Sequence, residues 1–205
     1  VYNALNSPNL IGFFDALGVE TQASDMSFAV SDPKGWEWAS TLKGIFAQRR
    51  NLLSPNFHRF WRTILRFNDI ARAELADGTI TDTTLGAWLD RHEFDTDFRT
   101  NYILPMGAAI WSTCEDKMLD YPAMSFFQFF DNHRLMHKER PKWRTVTGGS
   151  ENYVRTVADA LGDRVRLNSG VERIFPFGDH IAVVTTDGRR EIFDDVILAT
   201  HSDQA

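Results

Sequence analysis

Through most of the first 140 residues, apolar positions recur at intervals of three and four, the spacing of one helix face. Leu10, Phe13, Phe14 and Leu17 predict a helix over residues 8–17, with Gly18 as its C-terminal cap. Phe57, Phe60, Trp61, Ile64, Leu65, Phe67 and Leu75 make a broad stripe that predicts a long helix over residues 55–76. Ser54 is its N-cap, Pro55 sits in the first turn, and Asp77-Gly78 ends it. Leu85, Trp88 and Leu89 place a helix over residues 83–92. Another covers residues 97–111, disturbed by Pro105 and Gly107. A strongly aromatic one covers residues 121–136, with Phe126, Phe127, Phe129 and Phe130. Residues 27–31 and 36–40 are short extended runs around the turn sequence Asp32-Pro33-Lys34-Gly35, and read as a hairpin.

Past Pro141 the period shortens. After Gly148-Gly149-Ser150 comes a helix over residues 151–161, closed by Gly162. Residues 165–167, 171–177, 181–186 and 191–193 are predicted strands, with hairpin turns at Gly178-Asp179 and Asp187-Gly188. The run Asp195-Val196-Ile197-Leu198-Ala199-Thr200 suits a strand buried on both faces, as in a parallel sheet. The fold class expected is therefore α+β. Residues 1–140 form a mainly helical domain with a short N-terminal hairpin, and residues 141–205 a partial α/β domain with an antiparallel β insert.

Composition narrows the function. With 43% hydrophobic and 24% charged residues, the chain is ordinary for a globular protein. A net charge of -6 disfavours nucleic acid or an anionic membrane as partner. No apolar run approaches the roughly 20 residues that span a bilayer, and no signal peptide opens the chain. With Cys114 the only cysteine, there is no internal disulfide, and a cytoplasmic location is expected. Cys114 itself reads as a buried structural cysteine. The chain opens on Val1 and closes just after a predicted strand, which reads as an excised segment.

His133 and His137 have a spacing that can bind zinc, but the H-E-x-x-H glutamate and a third ligand are missing. Residues 133–140 read instead as a solvated basic face, and no metal site is expected. There is no G-x-S-x-G, Walker loop or paired-cysteine motif, which leaves hydrolase and kinase readings unsupported.

The order of signals in the second half is more specific. Pro141-Lys142-Trp143-Arg144-Thr145-Val146 leads into Thr147-Gly148-Gly149-Ser150 and a helix ending Ala160-Leu161-Gly162. Val171-Glu172-Arg173-Ile174, the Asp187-Gly188 turn and Phe193-Asp194-Asp195-Val196-Ile197-Leu198-Ala199-Thr200-His201 follow. This order resembles the middle of the flavin-containing amine oxidase superfamily. The start, with Val1-Tyr2-Asn3, Pro8-Asn9-Leu10, Phe14-Asp15-Ala16-Leu17-Gly18-Val19 and Asp25-Met26-Ser27-Phe28, is similar to a bacterial branch of NAD/FAD-binding oxidoreductases.

The resemblance implies an FAD-dependent oxidoreductase that removes hydride from a small-molecule substrate, apolar or amine, with the aromatic helical half on the substrate side. Trp61, Trp88, Trp111, Phe126, Phe127, Phe129 and Phe130 are candidates for an apolar pocket, although each singly reads better as core. It also implies cofactor contacts at the Gly148-Gly149 turn and at the Val171 backbone. Thr200 is a further cofactor candidate from its place at the end of the expected buried strand, where ligands of open α/β sheets collect and its hydroxyl can reach a phosphate or ribose. Tyr2 and Asn3 would run along the flavin, but a frayed terminus is expected for them here. No catalytic residue is named. The superfamily's G-x-G-x-x-G is absent from the chain, so its backbone grip on the pyrophosphate is absent as well. The segment alone is expected to hold FAD poorly and to be inactive. The alternative is a non-catalytic dinucleotide-binding or interaction module on the same scaffold.

Overall fold

The computed structural model describes residues 1–32 and 35–203, the side chain of Leu42 excepted. Pro33 and Lys34, the centre of the expected hairpin turn, lie outside the described residues. The chain forms two compact units, Val1–Ser150 and Glu151–Ala205. Helices and small antiparallel sheets make an α+β fold.

The first unit begins with β1 (Tyr2–Asn3), α1 (Pro8–Leu17), β2 (Thr21–Ala23), β3 (Ala29–Ser31), β4 (Glu37–Ala39) and α2 (Leu42–Ile45). A 3-10 turn, Arg49–Leu53, leads into α3 (Pro55–Asp77). Then come α4 (Leu85–Arg91), α5 (Thr96–Phe98), a π turn at Arg99–Ile103, α6 (Leu104–Trp111), α7 (Glu115–Met118), α8 (Ala123–Asn132) and β5 (Trp143–Val146).

Local chemistry sets these bounds. Ser54 Oγ accepts from the Phe57 amide at 3.3 Å and starts α3. Gly78, at φ +65, ends it in the left-handed conformation that favours glycine. The expected helix over residues 97–111 exists as α5, the π turn and α6 in succession. Pro105 has no N–H for the carbonyl four residues back, that of Asn101. The Trp38 indole N–H donates to that carbonyl instead, at 3.1 Å. The first amides of α4 use distant partners too, Leu85 N donating to Tyr121 O and Gly86 N to Leu119 O, both at 2.8 Å.

The core of this unit is aromatic. From α3 it takes Phe57, Phe60, Ile64, Phe67 and Ala71, and from α8 Ala123, Phe126, Phe127 and Phe130, each set on one helical face. Trp88 is fully buried between them and donates its indole N–H to Glu74 Oε2 at 2.7 Å. Sheet order β1-β5-β2 ties the N-terminus to β5, both pairings antiparallel. Tyr2 and Asn3 therefore do not fray. They pair with Arg144 and Trp143 and are buried, Tyr2 edge-on against Phe14. Strands β3 and β4 pair antiparallel, as a hairpin requires.

The second unit holds α9 (Glu151–Leu161), a 3-10 turn at Gly162–Arg164, and the meander β6 (Val171–Phe177), β7 (His180–Thr185), β8 (Arg190–Phe193). Gly178 (φ +62) and Gly188 (φ +84) make its turns. At the second turn, Thr185 Oγ1 at 2.5 Å and the Arg189 amide at 3.2 Å donate to Asp187, and these bonds hold its carboxyl below the ordinary carboxylate range.

Two expected strands are not formed. Residues 165–167 lie outside any strand: Val165 caps the 3-10 turn, its N donating to Gly162 O at 3.0 Å, and Leu167 enters a further turn. Residues 195–200 lie outside any strand, and Ile197 is 91% exposed. A strand is made by its neighbours' hydrogen bonds, and no described strand pairs with this run. Cys114 is exposed rather than buried. Among the described residues, no helix is long and apolar enough to cross a membrane.

Candidate functional site

A cavity of about 1060 Å³ opens within the first unit. One wall is a stripe of α3: Trp61, Ile64, Leu65, Asn68, Asp69 and Arg72. These recur at three and four, so helix geometry alone aligns them along about 16 Å. The opposing lining is residues 134–141, with Tyr102, Ile45 and Leu5.

Residues 134–141 are placed by the way α8 stops. Leu135 N donates to Phe130 O at 2.8 Å and His133 N to Phe129 O at 3.0 Å. Arg134 takes the left-handed position, φ +56, that glycine usually fills. Such a backbone costs on the order of 1 kcal/mol in a residue with a side chain. It turns the chain so that residues 134–141 line the cavity. The stretch read as a solvated basic face is exposed in large part and is also this lining.

The cavity mixes apolar surface with polar atoms that lack partners. Trp61 Nε1 and Asn68 Oδ1 are both buried and unbonded. Leaving such atoms unsatisfied costs roughly 1–3 kcal/mol each. Tyr102 is 6% exposed. Burial pushes its phenol up to about 12, with the Arg140 charge pulling the other way. Its hydroxyl therefore keeps its proton at neutral pH.

Charge is unevenly placed. Arg72 pairs with Asp69 at 2.8 Å. Among the described residues Arg134, Lys138, Glu139 and Arg140 form no ion pair. Arg134 Nη1 lies 3.4 Å from His137 Nδ1, and His137 Nε2 lies 2.7 Å from Asp131 Oδ1. Arginine only donates, so this network assigns the His137 proton to Nε2, pointing at Asp131.

The sequence-expected cofactor residues fall on both units. Gly148 (φ +74) and Gly149 (φ +96) form an exposed turn directly after β5, in the first unit. A Cβ added at Gly149 would meet no atom within 4 Å, so the turn is open there to an approaching group. Val171 opens β6 in the second unit, opposite Thr185 and 53% exposed. Thr200, in the same unit, is exposed and outside any strand. Among the described residues no cluster of three or more metal-ligating side chains occurs.

Of the aromatic pocket candidates, Trp88, Phe126, Phe127 and Phe130 are fully buried core. Trp111 and Phe129 are partly buried, their rings tilted against each other with centroids 4.8 Å apart. Only Trp61 lines the cavity. Sequence reasoning missed Asn68, Asp69, Arg72 and residues 134–141 as site residues. The available signal was the polar set beside the apolar stripe of α3, at spacings seven and eleven from Trp61.

A family model for flavin-containing amine oxidoreductases matches residues 6–205. Wild-type putrescine oxidase bound to putrescine superposes with a TM-score of 0.67 at 17% identity, over 94% of this chain and 44% of that one. A double mutant of putrescine oxidase from a redesign of cofactor binding gives 0.70 at 18%, over 95% and 44%. At these identities the likeness is one of fold. The chain spans less than half the length of the structures it matches. No curated protein matches it.

Proposed function

The chain belongs to the flavin-containing amine oxidoreductase family, and from that premise we propose that it contributes to an FAD-dependent enzyme that withdraws hydride from an amine or related small substrate. In this reading residues 1–140 are the substrate-side domain and residues 141–205 part of the FAD-binding domain. The observation that carries it is the cavity of the helical unit, lined by an apolar stripe and by polar and charged side chains.

FAD, when bound, supplies the hydride acceptor. The residues present fit part of such a group. Gly148 and Gly149 would let backbone come close to it, Val171 would meet it through main-chain groups, and Thr200 would offer a hydroxyl. The G-x-G-x-x-G grip is not among these residues, so the chain by itself is expected to hold FAD poorly and to lack activity.

The cavity residues bind and orient. The polar lining, Asn68 and Asp69 included, meets the substrate's polar group. Ile64, Leu65, Leu135 and Met136 cover the apolar part of the substrate and exclude water. A mostly apolar substrate was the expectation from sequence. The charged lining favours one that is apolar in part and carries a polar group. The test is anaerobic addition of amines to the flavin-loaded protein expressed from its complete reading frame. Loss of the visible flavin absorbance on addition supports the reading. A flavin that no amine or related substrate reduces, while dithionite does, counts against it.

A further inference from the structure

The whole chain is acidic, with a net charge of -6, yet its cavity is lined by four basic residues and two acidic ones, a net of +2. One of the two carboxylates, Asp69, is already paired with Arg72. Arg134, Lys138 and Arg140, which succeed one another within seven residues of the chain, have no acidic partner among the described residues. Every one of these groups can donate to an anion, and arginine does so with two parallel bonds. A diamine would bring two positive charges to a surface that is already positive.

We propose that this cavity selects an organic anion, a substrate whose carboxylate meets Arg134, Lys138 and Arg140 while its apolar body lies along Trp61, Ile64 and Met136. The inference rests on the reading of the cavity as the substrate site. It narrows the substrate to one that carries an acid group, whatever bond is oxidised.

The experiment is calorimetric titration of the 205-residue chain with octanoate, octanol and octylamine, matched in length, and with putrescine. Octanoate should bind about tenfold more tightly than octylamine, because only the head charge differs. Added salt should narrow that gap, since the rim is exposed. Lys138→Gln changes an exposed side chain without an ion pair, so folding is not at stake. It should weaken octanoate several-fold, Arg140→Gln should do the same, and neither should move octanol. Octylamine or putrescine binding as tightly as octanoate overturns the inference and leaves the amine reading standing. So does octanoate affinity that is unchanged in both variants. If none of the four ligands binds, the substrate-cavity reading falls as well.

Discussion

Phe67→Ala removes the ring on which the aromatic core converges. Phe67 is fully buried, with ring centroids at 5.2 Å to Phe98, 5.6 Å to Phe94, 5.7 Å to Trp88 and 5.8 Å to Phe127. Its neighbours come from α4, α5 and α8 as well as the loop at Phe94, so no single element can move in to fill the hole. Truncating a buried Phe costs about 3–5 kcal/mol, and poor collapse puts the value toward the upper end. At about 2–4 °C of Tm per kcal/mol for a chain of this size, the loss is on the order of 10 °C or more. Near-UV circular dichroism reads it directly, because the signal comes from these packed rings. Leu65→Ala is the control, about half a helical turn away on the other side of α3, lining the cavity and 55% exposed. It should shift Tm by a few degrees at most. If Phe67→Ala lowers Tm no more than Leu65→Ala does, the core is not organised around this ring.

Alkaline titration tests Tyr102. Its folded pKa is raised to about 12 from 10.0, so the stability it contributes is intact below pH 10 and is lost as pH climbs toward 12. The loss is roughly 2–3 kcal/mol, and Tyr102→Phe should remove that component of the alkaline fall in urea midpoint. Ser54→Ala should cost about 1 kcal/mol by leaving the Phe57 amide without its cap, while Ser54→Asp keeps the midpoint near that of the native chain. Gly149→Ala should destabilise by about 1–2 kcal/mol, because φ +96 is poor for any L side chain. Gly149→Val should lose more than Gly149→Ala, since a β-branched side chain tolerates positive φ worse still.

What the sequence made legible was local. Helix α1 has the bounds expected from Pro8 and Gly18. Helix α3 starts on the expected cap, and the meander turns at its two expected glycine pairs. These signals sit within a few residues of what they determine. The sheet β1-β5-β2 joins residues more than a hundred positions apart, and no short-range pattern announces it. The run at residues 195–200 shows the reverse case. Its apolar composition suits a strand, but composition cannot supply the neighbour that makes one. The cavity was hidden for a related reason. Trp61, Asn68 and Arg72 could be aligned on paper, but their meeting with residues 134–141 depends on Arg134 adopting a conformation its residue type does not advertise.

The central claim is that this chain belongs to a working flavoprotein. The most direct measurement is the visible absorption spectrum of the protein expressed from its complete reading frame, with identification of the released chromophore. The account predicts a flavin spectrum and FAD on release. A colourless protein that FAD cannot reconstitute would contradict it.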